Sequence, residues 1–288
     1  MHFIIESGST KSDWVLVDNK NKQSFFTTMG FNPYFHSSDI ISNEIGKNKD
    51  IMAISSEVKS IYFYGAGCSS IKMNKIVELG LKKIFASAFI FVEHDLLASA
   101  YAAYSGKPVI SCIIGTGSNS CLFDGKNLSE VVPALGYILG DEASGSYFGK
   151  QLISSLLYHH LPKEIEEDFT ATYKLDKETL LNRIYREPNA NVFIASFMPF
   201  IAKHKDAPFF RKMLIDGFRK FMEIHVCCYA DYKQKEVNFV GSISQIFEFE
   251  LKTAAKELGI EVGRIIPKPV HALVQYHLDY VLKTQITQ

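Results

Sequence analysis

The sequence lacks several features that would point to particular classes of protein. No apolar run approaches the ~20 residues that a membrane-spanning helix needs. Neither sign of charge is in excess, because 31 Lys and Arg residues balance 31 Asp and Glu residues in a chain of 288 residues. A one-signed field of the kind that attracts nucleic acid or acidic membranes is therefore absent, and we expect neither as a partner.

Cysteine is scarce and scattered along the chain. The five cysteines are Cys68, Cys112, Cys121, Cys227 and Cys228, with no Cys-x-x-Cys spacing. This usage argues against a disulfide framework and against a zinc or iron–sulfur site, and it suits a reducing cytoplasm. Lys11 and Asp13 follow the first apolar segment at once, so the sequence predicts no secretion signal there and we expect a cytoplasmic protein.

The chain does contain a strand–glycine loop–strand pattern that occurs twice. The first copy runs from His2–Ser7 through Gly8-Ser9-Thr10-Lys11 to Asp13–Asp18, and the second from Val109–Ile114 through Gly115-Thr116-Gly117-Ser118 to Ser120–Phe123. One such loop alone is more often only a turn. The repetition favours phosphate binding, because glycines are free to adopt positive φ and backbone N–H groups can then point at one anion. Two hairpins facing each other across a cleft would bind a polyphosphate from both sides.

These segments resemble the motifs of a known superfamily. Ser7–Asp13 resembles the first phosphate motif of the sugar kinase, actin and heat-shock chaperone superfamily, Ile114–Ser118 resembles the second, and Phe239–Ser242 resembles its adenosine motif. Within that superfamily, Gly115–Asn119 and Gly140–Gly145 are similar to the branch of N-acetylglucosamine kinases. That branch also holds the ATPase activators of benzoyl-CoA reductase and hydroxyacyl-CoA dehydratases. The similarity follows the motifs in order over nearly the whole chain.

Strands that alternate with helices along both halves of the chain indicate an α/β architecture. The resemblance implies a two-domain, actin-like (ribonuclease H-like) fold with a nucleotide cleft between the lobes. We expect residues 1–106 plus a last helix, 271–288, to form the first lobe, and residues 107–270 to form the second. Single helices are predicted over 190–204 and 245–258, and no strand is predicted after residue 240.

The resemblance also implies which residues bind ATP and Mg²⁺. The phosphates are expected on Gly8, Ser9, Thr10 and Lys11 and on Gly115, Thr116, Gly117 and Ser118, and the adenosine on Gly241 and Ser242. Glu6 is at the position of an acidic residue that holds Mg²⁺, usually through water, and a carboxylate at a strand end suits such a hard cation. Ser7 and Ser9 depart from the family, in which glycines are usual there. Lys11 is either a phosphate ligand or a solvated surface lysine.

Asp95 is the predicted catalytic base. It follows a buried strand, Phe89–Glu93, at the carboxyl edge where α/β sheets place their sites. An aspartate in hydrogen-bond reach can take the proton from an attacking hydroxyl. From the residues alone, a cap for the Ala-rich helix Leu96–Tyr104 would be the preferred interpretation, and it is the family position that favours the base.

Asn119, Asp141 and Gly145 match the sugar-binding segments of the family. A side-chain amide and a carboxylate together can bind paired ring hydroxyls. Without the resemblance, Asp141 would be interpreted as an ordinary turn aspartate. Ala143 replaces a glycine that is usual in this segment.

The predicted function is an ATP-dependent sugar kinase, with transfer to the 6-hydroxyl of N-acetylglucosamine as the favoured reaction. Glucosamine, N-acetylmannosamine and muramic acid derivatives remain open as substrates, and the family implies a homodimer through the second lobe. One alternative is an ATPase activator, whose branch holds an iron–sulfur cluster between two subunits on paired cysteines, a pattern that is not evident here. The other is a non-catalytic sugar-binding regulator, against which Glu6, Asp95 and Asp141 together speak.

Overall fold

The computed structural model describes residues 1–8 and 10–283. Ser9, one of the predicted phosphate ligands, lies outside the described residues, as do residues 284–288. The chain forms two compact units, Met1–Ala102 with Pro269–Gln288 and Ala103–Lys268. No helix in the described part of the chain is both long and apolar enough to cross a membrane.

Strands and helices alternate in both units. The strands are β1 (His2–Ser7), β2 (Lys11–Val17), β3 (Gln23–Met29), β4 (Ser60–Gly65), β5 (Phe89–His94), β6 (Val109–Ile114), β7 (Ser118–Phe123), β8 (Leu128–Ser129), β9 (Glu236–Val240) and β10 (Val262–Ile266). The α-helices are α1 (Ser38–Gly46), α2 (Lys49–Ile54), α3 (Ile71–Lys82), α4 (Asp95–Ala103), α5 (Gly136–Leu139), α6 (Gly145–Leu157), α7 (Lys163–Tyr173), α8 (Lys177–Tyr185), α9 (Ala190–Ala195), α10 (Met198–Lys203), α11 (Pro208–His225), α12 (Ser242–Ile246), α13 (Glu248–Glu257) and α14 (Val270–Tyr276). A π-helical turn, His277–Val281, extends α14, and short 3₁₀ turns lie at Ser55–Glu57 and Tyr232–Gln234.

The sheet of the first unit has the strand order β3-β2-β1-β4-β5. Strands β1, β2 and β3 pair in antiparallel fashion, whereas β1, β4 and β5 pair in parallel. Successive residues of a strand face opposite sides of the sheet. Accordingly, Phe3 and Ile5 pack with Trp14 in the core formed with α1 and α3, and Ile4 packs with Val15 in the core formed with α4 and α14. Both faces of this sheet are therefore covered, and β1 ends in the first glycine loop.

The sheet of the second unit has the strand order β10-β9-β6-β7-β8. Strands β6, β7 and β8 are antiparallel, and β6, β9 and β10 are parallel. The strand order therefore repeats that of the first unit, with a hairpin on one side of the central strand and two parallel strands on the other. Ile110, Cys112 and Ile114 of β6 lie in a core shared with α6, α11 and α13. The second glycine loop leaves the end of β6, as the first leaves the end of β1.

The α/β class and both strand–loop–strand hairpins are confirmed. Two predicted helices are instead divided, since residues 190–204 form α9 and α10, and residues 245–258 are divided between α12 and α13. In the first case Pro199 lies in the first turn of α10, a position where the missing N–H costs nothing. Strand β10 is not predicted from the sequence, because Gly263 and Arg264 interrupt its apolar residues and it is completed only by pairing with β9.

Candidate active site

The first loop, between β1 and β2, is closed by a hydrogen bond from Gly8 N to Lys11 O of 3.0 Å. Ser7, where the family usually has a glycine, is fully buried. Its hydroxyl lies 2.7 Å from Ser12 Oγ and accepts a hydrogen bond from Phe31 N of 2.9 Å, so this side chain fastens the hairpin to the unit. Among the described residues, a Cβ added at Gly8 would meet only Lys11 O, at 3.7 Å. The fold itself leaves room at Gly8 for a ligand to approach the backbone.

Three interacting carboxylates surround the end of β1. The register places Glu6 of β1 directly opposite Asp13 of β2, and Asp95 begins α4 after the end of β5. The pKa of Glu6 is raised to about 7, first by burial and then by the carboxylates of Asp95 and Asp13. The ammonium of Lys11 opposes this shift and lies 2.6 Å from Asp13 Oδ1. Like charges crowded in this way are stabilised either by a proton or by a cation.

These oxygens suit a hard divalent cation, because Mg²⁺ prefers carboxylate and water ligands. The raised pKa of Glu6 supports the fit, since burial and the two neighbouring carboxylates disfavour its ionised form, which a cation would stabilise. Among the described residues, no group of three or more His, Cys, Asp and Glu side chains is arranged to hold an ion directly. A cation at Glu6 would therefore take most of its ligands from water and from a bound phosphate, as Mg²⁺ usually does.

Asp95 is the first residue of α4, and the residue before it holds the cap position. His94 Nδ1 accepts a hydrogen bond from Leu97 N of 3.3 Å, the contact that an N-terminal cap makes with the first turn. The helix therefore does not depend on Asp95 for this cap. After burial, the carboxylate of Asp95 is the next cause of the raised pKa of Glu6.

The second loop, between β6 and β7, is fixed by the first residues of α6. Gly115 N donates across the loop to Gly117 O at 2.9 Å. Gly145 N donates to Gly115 O at 2.8 Å, and Ser146 N donates to Thr116 O at 3.1 Å. Within the part of the chain that the structure describes, the N–H groups of Thr116 and Gly117 donate to no backbone carbonyl. These two N–H groups can therefore donate to an anion.

The glycines of the second loop do not adopt positive φ, so the conformational reason predicted for them is wrong. Two residues of the segment that contacts the second loop have a left-handed backbone, Asp141 (φ 56°) and Ala143 (φ 58°). A Cβ added at Gly115 would meet nothing within 4 Å, whereas one at Gly117 would lie 2.9 Å from Asp141 Oδ2. A side chain at position 117 would therefore displace the Asp141 carboxylate. The left-handed backbone of Ala143 explains why the family usually has a glycine at this position.

The structure brings Asp141 onto the second loop and directs the amide of Asn119 elsewhere. Asp141 Oδ1 accepts a hydrogen bond from Ser118 N at 3.3 Å. Asn119 Nδ2 donates to Glu130 Oε2 at 3.0 Å, and its Oδ1 accepts from Ser120 N at 2.8 Å. The amide of Asn119 would therefore have to exchange Glu130 for a sugar hydroxyl, or bind one alongside it.

Gly145 and Gly241 both lie against the second loop and are required by packing. A Cβ at Gly145 would lie 3.0 Å from Ala195 Cβ of α9. A Cβ at Gly241 would lie 2.2 Å from Ile114 O, and the φ of Gly241 is 121°. Ser242, predicted with Gly241 to border the adenosine, is exposed at the start of α12. The predicted residues of the second unit thus meet around one loop, with the amide of Asn119 as the exception.

Sequence reasoning overlooked two partners of the predicted site residues. Asp13 lies opposite Glu6 because the register of the hairpin pairs them. The length of the loop after β1 sets that register and could have indicated the pairing. Glu130 is held by Asn119 through a contact between β7 and the segment after β8. No local pattern in the sequence indicates this second contact.

Comparison with solved structures defines the class of protein. The chain is similar to a candidate N-acetylglucosamine kinase from Porphyromonas gingivalis, with 33% identity and a TM-score of 0.89 over 97% of this chain and 99% of that chain. A candidate N-acetylglucosamine kinase from Chromobacterium violaceum has a TM-score of 0.72 at 14% identity, over 96% and 98% of the two chains. A ROK-family transcriptional regulator, a homologue of the Escherichia coli MLC protein, has a TM-score of 0.54 at 10% identity, over 99% and 81%. The last two likenesses show the fold alone.

The fold is that of the actin-like ATPases, α/β proteins of two domains, in the form found in sugar kinases. The 33% identity to the Porphyromonas gingivalis protein extends over almost the full length of both chains and therefore shows the family. The chain belongs to the N-acetylglucosamine kinase-like family of that superfamily. No protein-family model matches the chain, and no curated protein matches it.

Proposed function

We propose that this protein is an ATP-dependent kinase that transfers a phosphoryl group to the 6-hydroxyl of N-acetylglucosamine or a related amino sugar. The observation that carries the proposal is the junction between the second loop and the residues 140–146. At this junction the N–H groups of Thr116 and Gly117, which donate to no backbone carbonyl of the described residues, lie beside the carboxylate of Asp141. A sugar kinase needs such a pairing, in which one group binds phosphate and its neighbour binds a hydroxyl.

The phosphates of ATP would bind to the backbone of both loops, Gly8–Lys11 and Gly115–Ser118. N–H groups on a loop that other hydrogen bonds already hold in place need little reorganisation as charge develops on the transferred group. Mg²⁺ would neutralise the phosphate charge when bound, and Glu6 would hold it through water. Gly241 and Ser242 would border the adenosine.

Asp95 would act as the base that takes the proton from the 6-hydroxyl. This role needs a carboxylate in hydrogen-bond reach of the sugar, and Asp95 is the first residue of α4, next to the end of β5. Asp141 would accept hydrogen bonds from the ring hydroxyls, with Asn119 and Gly145 beside it. Binding through paired polar groups fixes the orientation of the hydroxyl that reacts.

The likeness to the candidate N-acetylglucosamine kinase from Porphyromonas gingivalis supports the amino sugar as the substrate class. A cytoplasmic location and a homodimer through the second unit are further parts of the proposal. Two alternatives remain, an ATPase activator and a sugar-binding regulator. Neither would transfer a phosphoryl group from ATP to a sugar.

A substrate screen distinguishes these three functions. Purified protein is incubated with ATP, Mg²⁺ and one sugar at a time, from N-acetylglucosamine, glucosamine, N-acetylmannosamine, a muramic acid derivative and glucose. ADP release and the mass of the product are then measured. We expect ADP release that depends on an amino sugar, with a product heavier by one phosphoryl group. ATP hydrolysis without a phosphorylated sugar would favour the activator, and tight sugar binding without turnover would favour the regulator.

A further inference from the structure

A buried carboxylate and a buried imidazole lie behind the loop that carries Asp141, and the proposed chemistry uses neither. Glu142 is 7% exposed, and His225, the last residue of α11, is 4% exposed. Glu142 Oε2 lies 3.6 Å from His225 Nε2. Ionisable groups are seldom buried to this degree without partners, because removing them from water is costly. The contacts around the pair should therefore explain why both groups are buried.

Two serines of β7 bind the backbone of both members of this pair. Ser118 Oγ donates to Glu142 O at 2.6 Å, and Ser120 Oγ donates to His225 O at 2.5 Å. Ser118 and Ser120 are alternate residues of one strand, so they face the same side of the sheet. The strand that leaves the second loop thus connects the Asp141 loop to the end of α11.

The backbone on either side of Glu142 is left-handed. Asp141 has a φ of 56° and Ala143 a φ of 58°, a conformation that residues with a Cβ rarely adopt. Such a backbone persists when the surrounding structure determines it strongly. The side chain of Asp141 reaches Ser118 N, whereas the side chain of Glu142 reaches His225. Glu142 therefore anchors the interior side of the turn that places the Asp141 carboxylate.

We propose that Glu142 and His225 are positioning residues, which together fix the turn that presents Asp141 to the sugar. The proposal rests on the sugar kinase function proposed above. It adds a pair of residues that acts through Asp141 without touching the substrate.

The charged surroundings of the pair come from two helices. Lys220 Nζ of α11 lies 3.9 Å from Glu142 Oε1, and Lys150 of α6 interacts with both Asp141 and Glu142. Burial lowers the pKa of His225, and Glu142 opposes that shift. In the described residues His225 Nδ1 has no hydrogen-bond partner. A neutral imidazole with its Nε2 proton towards Glu142 fits these surroundings best.

A double-mutant cycle tests whether the two residues act as a pair. The variants are Glu142→Gln, His225→Gln and the double variant, with Glu223→Gln, an exposed carboxylate on the same helix, as the matched control. We expect each single variant to raise the KM for the amino sugar by roughly three- to tenfold, with a change in the KM for ATP below about twofold. The double variant should be no worse than the more affected single variant. A double effect equal to the product of the single effects would overturn the pairing.

A second measurement reports on the pair without catalysis. Histidine-ring NMR follows the pKa of His225 in the wild type, in Glu142→Gln and in Glu223→Gln. We expect a lower pKa in Glu142→Gln and no change in Glu223→Gln, and an unchanged pKa in both variants would overturn the proposal. His225→Asn replaces His225→Gln in the cycle if the latter melts at a much lower temperature. A wild-type protein that phosphorylates no sugar would refute the kinase function, while the NMR measurement would still decide whether the two residues are coupled.

Discussion

The two strand–loop–strand hairpins hold corresponding places in their sheets but are stabilised by different groups. In the first, the hydroxyls of Ser7 and Ser12 supplement the main-chain hydrogen bond from Gly8 N to Lys11 O, and ionisable groups surround the loop. Main-chain groups fix the second, because Gly145 N and Ser146 N donate to its carbonyls. The same strand order thus supports one loop whose properties depend on charge and another whose properties depend on shape. We expect the first to govern cation and proton chemistry and the second to govern the placement of phosphate and sugar.

The largest effect is expected from the proton chemistry of the first unit. Asp95→Asn removes the proposed base and should lower turnover by roughly 10²- to 10⁴-fold, the usual contribution of a positioned base. The melting temperature and ATP binding should stay close to those of the wild type. Steady-state kinetics and thermal melting measure both quantities.

Asp50→Asn is the matched control, because Asp50 also lies in the first turn of a helix and is exposed. If Asp95→Asn and Asp50→Asn retain similar turnover, the base lies elsewhere in the protein.

Replacing a glycine by valine in each loop tests whether the shape of the second loop, and not that of the first, determines sugar binding. At Gly117, valine would meet the Asp141 carboxylate, which an added Cβ already approaches to 2.9 Å. At Gly8 the nearest atom would be Lys11 O at 3.7 Å. Gly117→Val should therefore raise the KM for both ATP and sugar, by roughly tenfold or more each, since about 1.4 kcal/mol corresponds to tenfold. Gly8→Val should raise the KM for ATP alone. A normal sugar KM in Gly117→Val would show that this contact does not place Asp141.

Asp141→Ala tests the hydroxyl-binding role within the second unit. Leaving a buried sugar hydroxyl without a partner costs on the order of 1–3 kcal/mol. The variant should raise the sugar KM by roughly tenfold or more, with little change in the KM for ATP. The wild type should prefer N-acetylglucosamine to glucose by a similar margin, because the acetamide adds contacts. Kinetics of both proteins with both sugars check this, and equal use of glucose would refute the substrate assignment.

The smallest effect is expected from the pH dependence of the first loop. The pKa of Glu6 is raised from 4.5 to about 7, so its proton is bound more tightly in the folded state. Stability from this group is complete below about pH 4.5 and is lost as the pH rises towards 7 and above. The loss should be on the order of 1 kcal/mol after allowance for partial solvent exposure.

Glu6→Gln should remove this pH dependence, which thermal melting from pH 5 to 8 would detect as a flatter curve. Mg²⁺ should stabilise the wild type more at pH 8 than at pH 6, because a cation prefers the ionised carboxylate. The same profile in wild type and variant would assign the pH dependence to another group.

The sequence predicts the hairpins well because their signals are local. A β-branched run before Gly115 and an apolar run in β1 indicate strands from the local sequence alone, and the glycines mark the loops that follow them. Strand β10 could not be predicted, because its pairing with β9 outweighs the weak propensity of Gly263 and Arg264. The division between α9 and α10 carried a local signal in Pro199.

The candidate site was less predictable, because several of its contacts join distant segments. Asp141 lies against Gly117 in a turn just before α6, whose first residues bind the second loop, and the turn contains two left-handed residues, Asp141 and Ala143. Neither is a glycine, so the residue types gave no indication that the backbone there is left-handed. The residue types were sufficient for the family, whereas their partners depended on the tertiary structure.

The last helix, α14, completes the core of a unit whose other elements are made at the start of the chain. Val270, Leu273 and Val274 pack with Ile4 and Val15, so this hydrophobic core is assembled from both ends of the sequence. During synthesis the second unit, being continuous in sequence, can fold as soon as it leaves the ribosome. The first unit, although translated earlier, must wait with one face of its sheet partly uncovered. A chain cut short before residue 270 would leave that face without α14, and we expect it to aggregate more readily than a chain that includes the helix.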